Sequence, residues 1–218
     1  MTNTHLDLRD RAATFQAISQ QVFDVLVIGG GITGAGIARD AAMRGLSVCL
    51  VEAQDFAAGT SSRSSKMVHG GMRYLIQGDI SVVREAATER RTLREIAPHL
   101  ATTLPMLILA RGKASLAKFR TGMWTYEKLG KVVPSEKHEA LNLEELRARE
   151  PHLVTEGFSS AVTYPEYLTD DARLTLANLR SAAAAGAVLA SYAAVTEILS
   201  EDGTACGAQI VGQLHEES

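Results

Sequence analysis

Three glycines and one carboxylate carry the most legible chemistry in this sequence. Gly29, Gly31 and Gly34 stand in the pattern G-x-G-x-x-G, and Glu52 lies 21 residues beyond Gly31. Residues of these types at this spacing build a dinucleotide site. The first glycine permits a tight turn, the second lets backbone come close to a diphosphate, and the third allows a helix to pack closely on a strand. The diphosphate then rests on unpaired N–H groups and on the positive end of a helix dipole, with no lysine required. A carboxylate about 20 residues further on meets ribose hydroxyls. Gly29, Gly30, Gly31, Ile32, Thr33, Gly34, Glu52 and Ala53 are therefore the first candidate cofactor contacts.

Those residues work only inside a strand–turn–helix–strand frame, and the flanking sequence supplies one. Val25, Leu26, Val27 and Ile28 form a short, β-branched apolar run ended by glycine, as a central parallel strand would be. Residues 32–44 follow with Ile32, Ala35, Ile37, Ala38, Ala41 and Ala42, mostly small enough for close contact with a sheet, and Gly45 supplies the stop. Residues 47–51 return as a strand that delivers Glu52.

A nicotinamide-binding domain would run on into further crossovers, whereas residues 56–71 are a polar, small-residue loop. Such a loop offers hydroxyl and backbone donors at close approach, which suits a long cofactor threading past the sheet. A solvated Ser/Gly linker is the alternative on composition alone. The order of residues decides between them. Gly-Thr-Ser-Ser-Arg-Ser-Ser-Lys-Met-Val-His-Gly-Gly-Met-Arg-Tyr, from Gly59 to Tyr74, resembles the fingerprint of the FAD-dependent glycerol-3-phosphate dehydrogenase family, quinone-linked flavoenzymes. Tyr164 to Leu179, with Asp170-Asp171-Ala172-Arg173, is similar to a later helix start of that family, so the resemblance runs from Phe23 to about residue 200.

The resemblance implies an α/β fold, a Rossmann-like FAD-binding domain of the glutathione-reductase/D-amino-acid-oxidase type. It implies FAD as cofactor and oxidation of glycerol 3-phosphate to dihydroxyacetone phosphate, with electrons passed to quinone. Thr60, Ser61, Ser64, Ser65 and Lys66 would lie along the cofactor, and Gly70 and Gly71 would let backbone approach its ring system. Arg73 would face substrate, since a planar, permanently charged guanidinium suits bidentate phosphate capture better than Lys66 does. His69 is the local candidate for proton transfer, or for cofactor contact, because an imidazole ordinarily titrates at about 6.5. Tyr74 would hydrogen-bond substrate. Structural alternatives stand beside each role: a carbonyl partner for His69, an acidic partner for Arg73, and simple packing for Tyr74.

Composition limits the remaining possibilities. The chain has 218 residues, 46% hydrophobic and 22% charged, and a net charge of −3, enough to bury a core but without the basic field that nucleic acid needs. Apolar runs fall short of the ~18 residues that span a bilayer, and no basic-then-apolar leader suggests export, so a cytoplasmic location is expected. Residues 1–22 carry Asp7, Arg9, Asp10 and Arg11 before Phe15 and Ile18, and are expected as a loosely attached leader. Cys49 and Cys206 lack metal-ligand spacing and are expected as buried, inert thiols, with no metal site.

Further along, Asp79 caps an expected helix over 80–97, stopped before Pro98. Residues 103–110 are expected as a strand, 114–129 as a helix and 143–150 as a short helix with a capping box from Asn142 and Glu145. Residues 158–164 are expected to be extended, with a helix from Asp170 or Asp171 to 185 and a strand over 188–192. Segments 195–199 and 205–211 flank Asp202-Gly203 as a hairpin. The domain is thus expected over 23–218, with an inserted helical segment at about 80–150.

In the helix over 114–129, Leu116, Phe119, Met123 and Tyr126 share a stripe flanked by Lys113, Lys118, Arg120, Lys128 and Lys131. Such a face packs into a core or lies on an anionic lipid surface, and the resemblance favours a peripheral seat on the cytoplasmic face of the inner membrane, near quinone. A homodimer is a further expected partner. Members of the family are much longer, so the chain is expected to be an N-terminal fragment, inactive by itself, lacking most of the substrate domain and exposing an apolar flank of its sheet. A related FAD-dependent amine or hydroxy-acid oxidase, and a non-catalytic nucleotide-binding fragment, are the competing readings.

Overall fold

A computed structural model describes Leu6, residues 8–69, Tyr74 and residues 77–214. In chain order its elements are α1 (Arg11–Gln20), β1 (Val25–Ile28), α2 (Ile32–Met43), β2 (Val48–Val51), β3 (Met67–Val68), α3 (Ile80–Ile96), β4 (Thr102–Ala110), α4 (Lys113–Gly130), β5 (Glu139–Asn142), α5 (Leu143–Arg149), β6 (Ser160–Leu168), α6 (Asp171–Ala184), β7 (Val188–Ala190), β8 (Ala193–Glu201) and β9 (Thr204–Gly212). They divide into two compact units, Met1–Lys66 with Asp170–Ser218, and Met67–Thr169.

The first unit is built on a parallel sheet in the order β1-β2-β7. All four residues of β2 are buried, as a strand covered on both faces requires. α2 buries Gly34, Ala35, Ala38, Ala41 and Ala42, and its four alanines cluster with Val27, Val48, Leu50 and Leu189 and with Leu179 of α6. Gly45, at φ +86°, ends the turn that follows α2 and its N–H donates to the carbonyl of Ala42. β1 lies at the sheet edge, and Ile28 is 54% exposed there, with Ile32 and Ile37 also open.

Two expectations for this unit need correction. The α1 part of the leader is attached: Phe15 and Ile18 pack on Cys49, Val51, Ala190 and Ala193, and Arg11 Nη1 donates to the carbonyl of Ser191 at 2.8 Å. The two thiols also differ. Cys49 is buried, and burial pushes its thiol up to about 11, whereas Cys206 is exposed on β9. That strand belongs to a two-stranded ribbon with β8, turned at Asp202 and Gly203, both at positive φ.

The second unit holds an antiparallel sheet with β6 at its spine. β4 pairs with the whole of β6, while β3 and β5 pair with its two ends on the other side. The segment at about 80–150 holds the three expected helices and the expected strand β4, together with β5, which was not expected from the sequence. The capping box of α5 forms as expected, with Asn142 Oδ1 accepting from the Glu145 N–H at 3.0 Å and Glu145 reaching back. The α4 stripe resolves inward: Met123 and Tyr126 are buried, and with Leu116 and Phe119 they pack around Val83, Ala87 and Val162. Of its larger apolar residues, Trp124 stays outside, 56% exposed, with Lys128 Nζ 5.8 Å from the ring centroid.

Under α3 sits a buried polar cluster. Arg90, 5% exposed, binds Glu166 at 2.7 Å and the carbonyl of Pro165 at 3.1 Å, and stacks on the Tyr167 ring at 4.6 Å. The Tyr167 hydroxyl donates to the Glu136 carboxylate. The Tyr126 hydroxyl, buried beside them, has no hydrogen-bond partner among the described residues. Burial pushes the Tyr126 and Tyr167 phenols up to about 12.

Candidate functional site

The turn between β1 and α2 is set by its glycines. Gly29 takes φ +111°, a conformation that side-chain-bearing residues rarely adopt, and its N–H donates to the carbonyl of Val51 at 2.8 Å. A Cβ on Gly30 would stand 2.5 Å from Phe56 Cδ1 and 3.0 Å from Glu52 Cβ. A Cβ on Gly34 would stand 1.9 Å from the carbonyl oxygen of Gly29. The third glycine thus brings α2 against the strand end, and the turn stays tight enough for backbone amides to line its outer side.

Glu52 faces this turn. One carboxylate oxygen accepts the Gly30 N–H at 2.7 Å and the other accepts the Gln54 N–H at 2.8 Å. Each oxygen keeps a further lone pair for a hydroxyl donor. Ala53 is exposed beside it. At the start of α2, the Ser61 hydroxyl oxygen accepts the Ile32 N–H at 2.8 Å, filling a position that an anion's oxygen could take. Ile32 and Thr33 are exposed on the first turn, and a groove of about 440 Å³ runs past Val25–Gly29, Gly31–Gly34, Ile37 and Ser61.

The polar loop has more structure than its composition suggests. Phe56 is buried against Gly30, and the Ala57 N–H donates to the Gly30 carbonyl at 3.1 Å. A short 3₁₀ turn covers Thr60–Ser62. Ser64, Ser65 and Lys66 are exposed, and both Ser64 and Lys66 reach Asp171 at the start of α6. Lys66 is thereby committed to a carboxylate. Asp171 was read from the sequence as a helix start; the signal for a second role is the doublet, because Asp170 alone caps the helix.

His69 and Tyr74 belong to the second unit. His69 is exposed just after β3. Tyr74 is half-buried and packs with the Val83 and Tyr126 cluster. Gly70, Gly71 and Arg73 lie outside the described residues. Among the described residues no group of acidic, histidine or cysteine side chains could hold a metal ion.

The donor set of the first unit fits a flavin adenine dinucleotide: a glycine turn where a Cβ at Gly30 or Gly34 would clash, a carboxylate beside it, and hydroxyls continuing from it. Comparison with known proteins agrees. A family model described as FAD dependent oxidoreductase matches residues 24–216. Aerobic glycerol-3-phosphate dehydrogenase of Bacillus subtilis is 43% identical over 204 residues, covering 93% of this chain and 36% of that protein. The Staphylococcus aureus (strain USA300) protein of the same name is 48% identical over 172 residues, covering 78% and 31%. The chain therefore spans about a third of the length of these curated relatives. Among solved structures, the glycerol-3-phosphate dehydrogenase of Bacillus halodurans complexed with FAD superposes with a TM-score of 0.68 at 33% identity, over 94% of this chain and 35% of that one. A match over nearly the whole chain, on a glycine turn and carboxylate arranged for a dinucleotide, makes this chain a member of the FAD-dependent oxidoreductase family.

Proposed function

We propose that this chain holds FAD along the turn from Gly29 to Gly34 and serves the oxidation of sn-glycerol 3-phosphate to dihydroxyacetone phosphate. The observation that carries the reading is the Glu52–Gly30 contact beside a turn with no room for a Cβ at Gly30 or Gly34, in a chain 43% and 48% identical to relatives named for that activity. Bound FAD supplies a two-electron acceptor that takes hydride from the alcohol carbon, while the hydroxyl proton leaves separately.

Each residue has one task. The amides at the start of α2 face the diphosphate, which Ser61 yields by turning its hydroxyl away from Ile32 N. Glu52 accepts from the ribose hydroxyls with lone pairs its backbone contacts leave free. Ser64, Ser65 and the backbone near Gly70 and Gly71 flank the cofactor further out. His69 takes the hydroxyl proton and Arg73 pairs with the substrate phosphate, with Tyr74 donating alongside. The electrons would go on to membrane quinone, for which the chain would take a peripheral seat on the cytoplasmic face of the inner membrane. No helix among the described residues is long and apolar enough to cross a membrane. With the α4 stripe used in the core, exposed Trp124 and its neighbour Lys128 are the part of that helix left for a lipid surface.

The test is a graft. Replacing the corresponding segment of the Bacillus subtilis relative with these 218 residues should give a flavin-loaded protein that reduces a dye with glycerol 3-phosphate and not with glycerol. A folded, flavin-loaded graft that treats the two alcohols alike would overturn the substrate assignment, and a folded graft without flavin would overturn the cofactor assignment.

A further inference from the structure

We propose that Asp171 is a positioning residue that clamps the segment 58–66 in the shape the cofactor requires, by binding the Ser64 hydroxyl and the Lys66 ammonium with its two carboxylate oxygens. The proposal rests on the FAD reading above for what the segment serves, and on contacts within the first unit for the clamp itself.

The contacts close a ring. The Ser64 hydroxyl donates to Asp171 Oδ2 at 2.6 Å, Lys66 Nζ donates to Oδ1 at 2.8 Å, and the Lys66 backbone N–H donates to Ser64 Oγ at 2.9 Å. Asp171 is free for this because its neighbour does the capping: Asp170 Oδ1 accepts the Arg173 N–H at 3.1 Å. The Asp171 side chain is only 13% exposed, and Lys66 and then Ser64 hold its carboxyl down at about 2, so it stays ionised at any working pH.

The ring holds a backbone that would not hold itself. Lys66 sits at φ +58°, and Ala57, just before the segment, sits at φ +62°. Residues with a Cβ adopt this region only where their surroundings over-determine it, and such positions gather at ligand clamps. Ala57 is buried, and its N–H is tied to the Gly30 carbonyl at 3.1 Å, so the near end is fixed to the glycine turn. Asp171 fixes the far end to α6. Between the two anchors, Ser61 meets the first turn of α2 at 2.8 Å. Ligand contacts offered from both sides of the turn thus depend on a carboxylate 105 residues away in sequence from Lys66.

The experiment uses the 218-residue chain and the variants Asp171→Ala and Asp171→Asn, with two readouts. Hydrogen exchange without cofactor should show the Lys66 amide exchanging roughly tenfold faster in Asp171→Ala, while amides of β2 are unchanged. Titration should show the FAD Kd rising roughly tenfold in Asp171→Ala, with the ADP Kd within about twofold, because ADP does not extend to Ser64 and Lys66. Asp171→Asn, which still accepts from Ser64, should recover part of both effects. Equal losses for FAD and ADP would mark general damage and overturn the proposal, as would an unchanged FAD Kd. If the wild-type chain takes up no FAD, the cofactor reading fails by itself; the clamp is then decided by exchange alone, and an unchanged Lys66 rate overturns it.

Discussion

Gly34 and Gly36 lie two residues apart in α2, and the structure assigns opposite signs to their replacement by alanine. A Cβ on Gly34 would sit 1.9 Å from the Gly29 carbonyl oxygen and 3.1 Å from the carbonyl carbon, so it meets backbone on a turn already fixed by hydrogen bonds. Real Cβ contacts essentially never fall below 3.0 Å, so α2 or the turn must retreat by more than 1 Å. A radial gap of about 0.5–1 Å forfeits a quarter to a half of a dispersion contact. The loss would fall on Ala35, Ala38, Ala41 and Ala42, the whole inward face of the helix. Overpacking of this kind costs about 1–3 kcal/mol or more, and alanine's better helix propensity returns at most ~1 kcal/mol. Because the atom met is backbone rather than the end of a flexible side chain, the cost falls at the upper end of that range, about 3 kcal/mol, and Gly34→Ala should be destabilised by about 2 kcal/mol net, or some 4–8 °C in Tm for a chain of this size. A Cβ on Gly36 meets nothing within 4 Å, so Gly36→Ala keeps the propensity gain of about 0.5–1 kcal/mol and melts higher. Urea unfolding monitored by far-UV circular dichroism measures both. If Gly34→Ala unfolds within 0.5 kcal/mol of wild type, or both variants shift in the same direction by similar amounts, the close approach of helix and turn is not what Gly34 provides.

Two further outcomes concern the second unit. Glu166→Ala leaves the buried Arg90 without its 2.7 Å partner and should cost about 3–5 kcal/mol, while Arg90→Met combined with Glu166→Leu should recover more than half of that in the same melt. Tyr126→Phe deletes a buried hydroxyl with no hydrogen-bond partner among the described residues, and should be neutral or stabilising by up to ~1 kcal/mol at pH 7. It should also flatten the alkaline limb. Tyr126 and Tyr167 keep their protons up to about pH 12 when folded, whereas unfolded tyrosine ionises near pH 10. The unfolded state binds fewer protons between those values, so stability falls as pH rises through that window, and a Tm that stays level from pH 9.5 to 11.5 would contradict the burial of these phenols.

The first unit was largely legible because its information is local. A β-branched run, spaced glycines and an acid after the second strand specify their geometry within 30 residues of chain. The Asp202-Gly203 hairpin and the Asn142–Glu145 capping box were readable for the same reason. The clamp at Asp171 was not, because both its partners lie more than 100 residues earlier and an acidic doublet before a helix reads as a cap. The α4 stripe shows a different limit: periodicity reveals an apolar face but not what covers it, and the cover is Val83, Ala87 and Val162. In the second sheet the long strands β4 and β6 were legible as extended segments, whereas β3 and β5, two and four residues long, carry too short a pattern to register. Cys206 illustrates the weakness of residue type as a guide to burial, since a cysteine on a two-stranded ribbon has one face in water whatever its usual preference.

The contrast between the two cysteines gives the molecule an internal clock. At neutral pH an alkylating reagent meets the Cys206 thiol directly, while Cys49, 1% exposed and with its proton held up to about pH 11, is neither reachable nor ionised. A brief pulse of iodoacetamide therefore modifies one site in the intact protein. A second adduct appears only when β2 parts from its neighbours, so counting adducts by mass against time measures how often the parallel sheet opens, with no probe added to the chain.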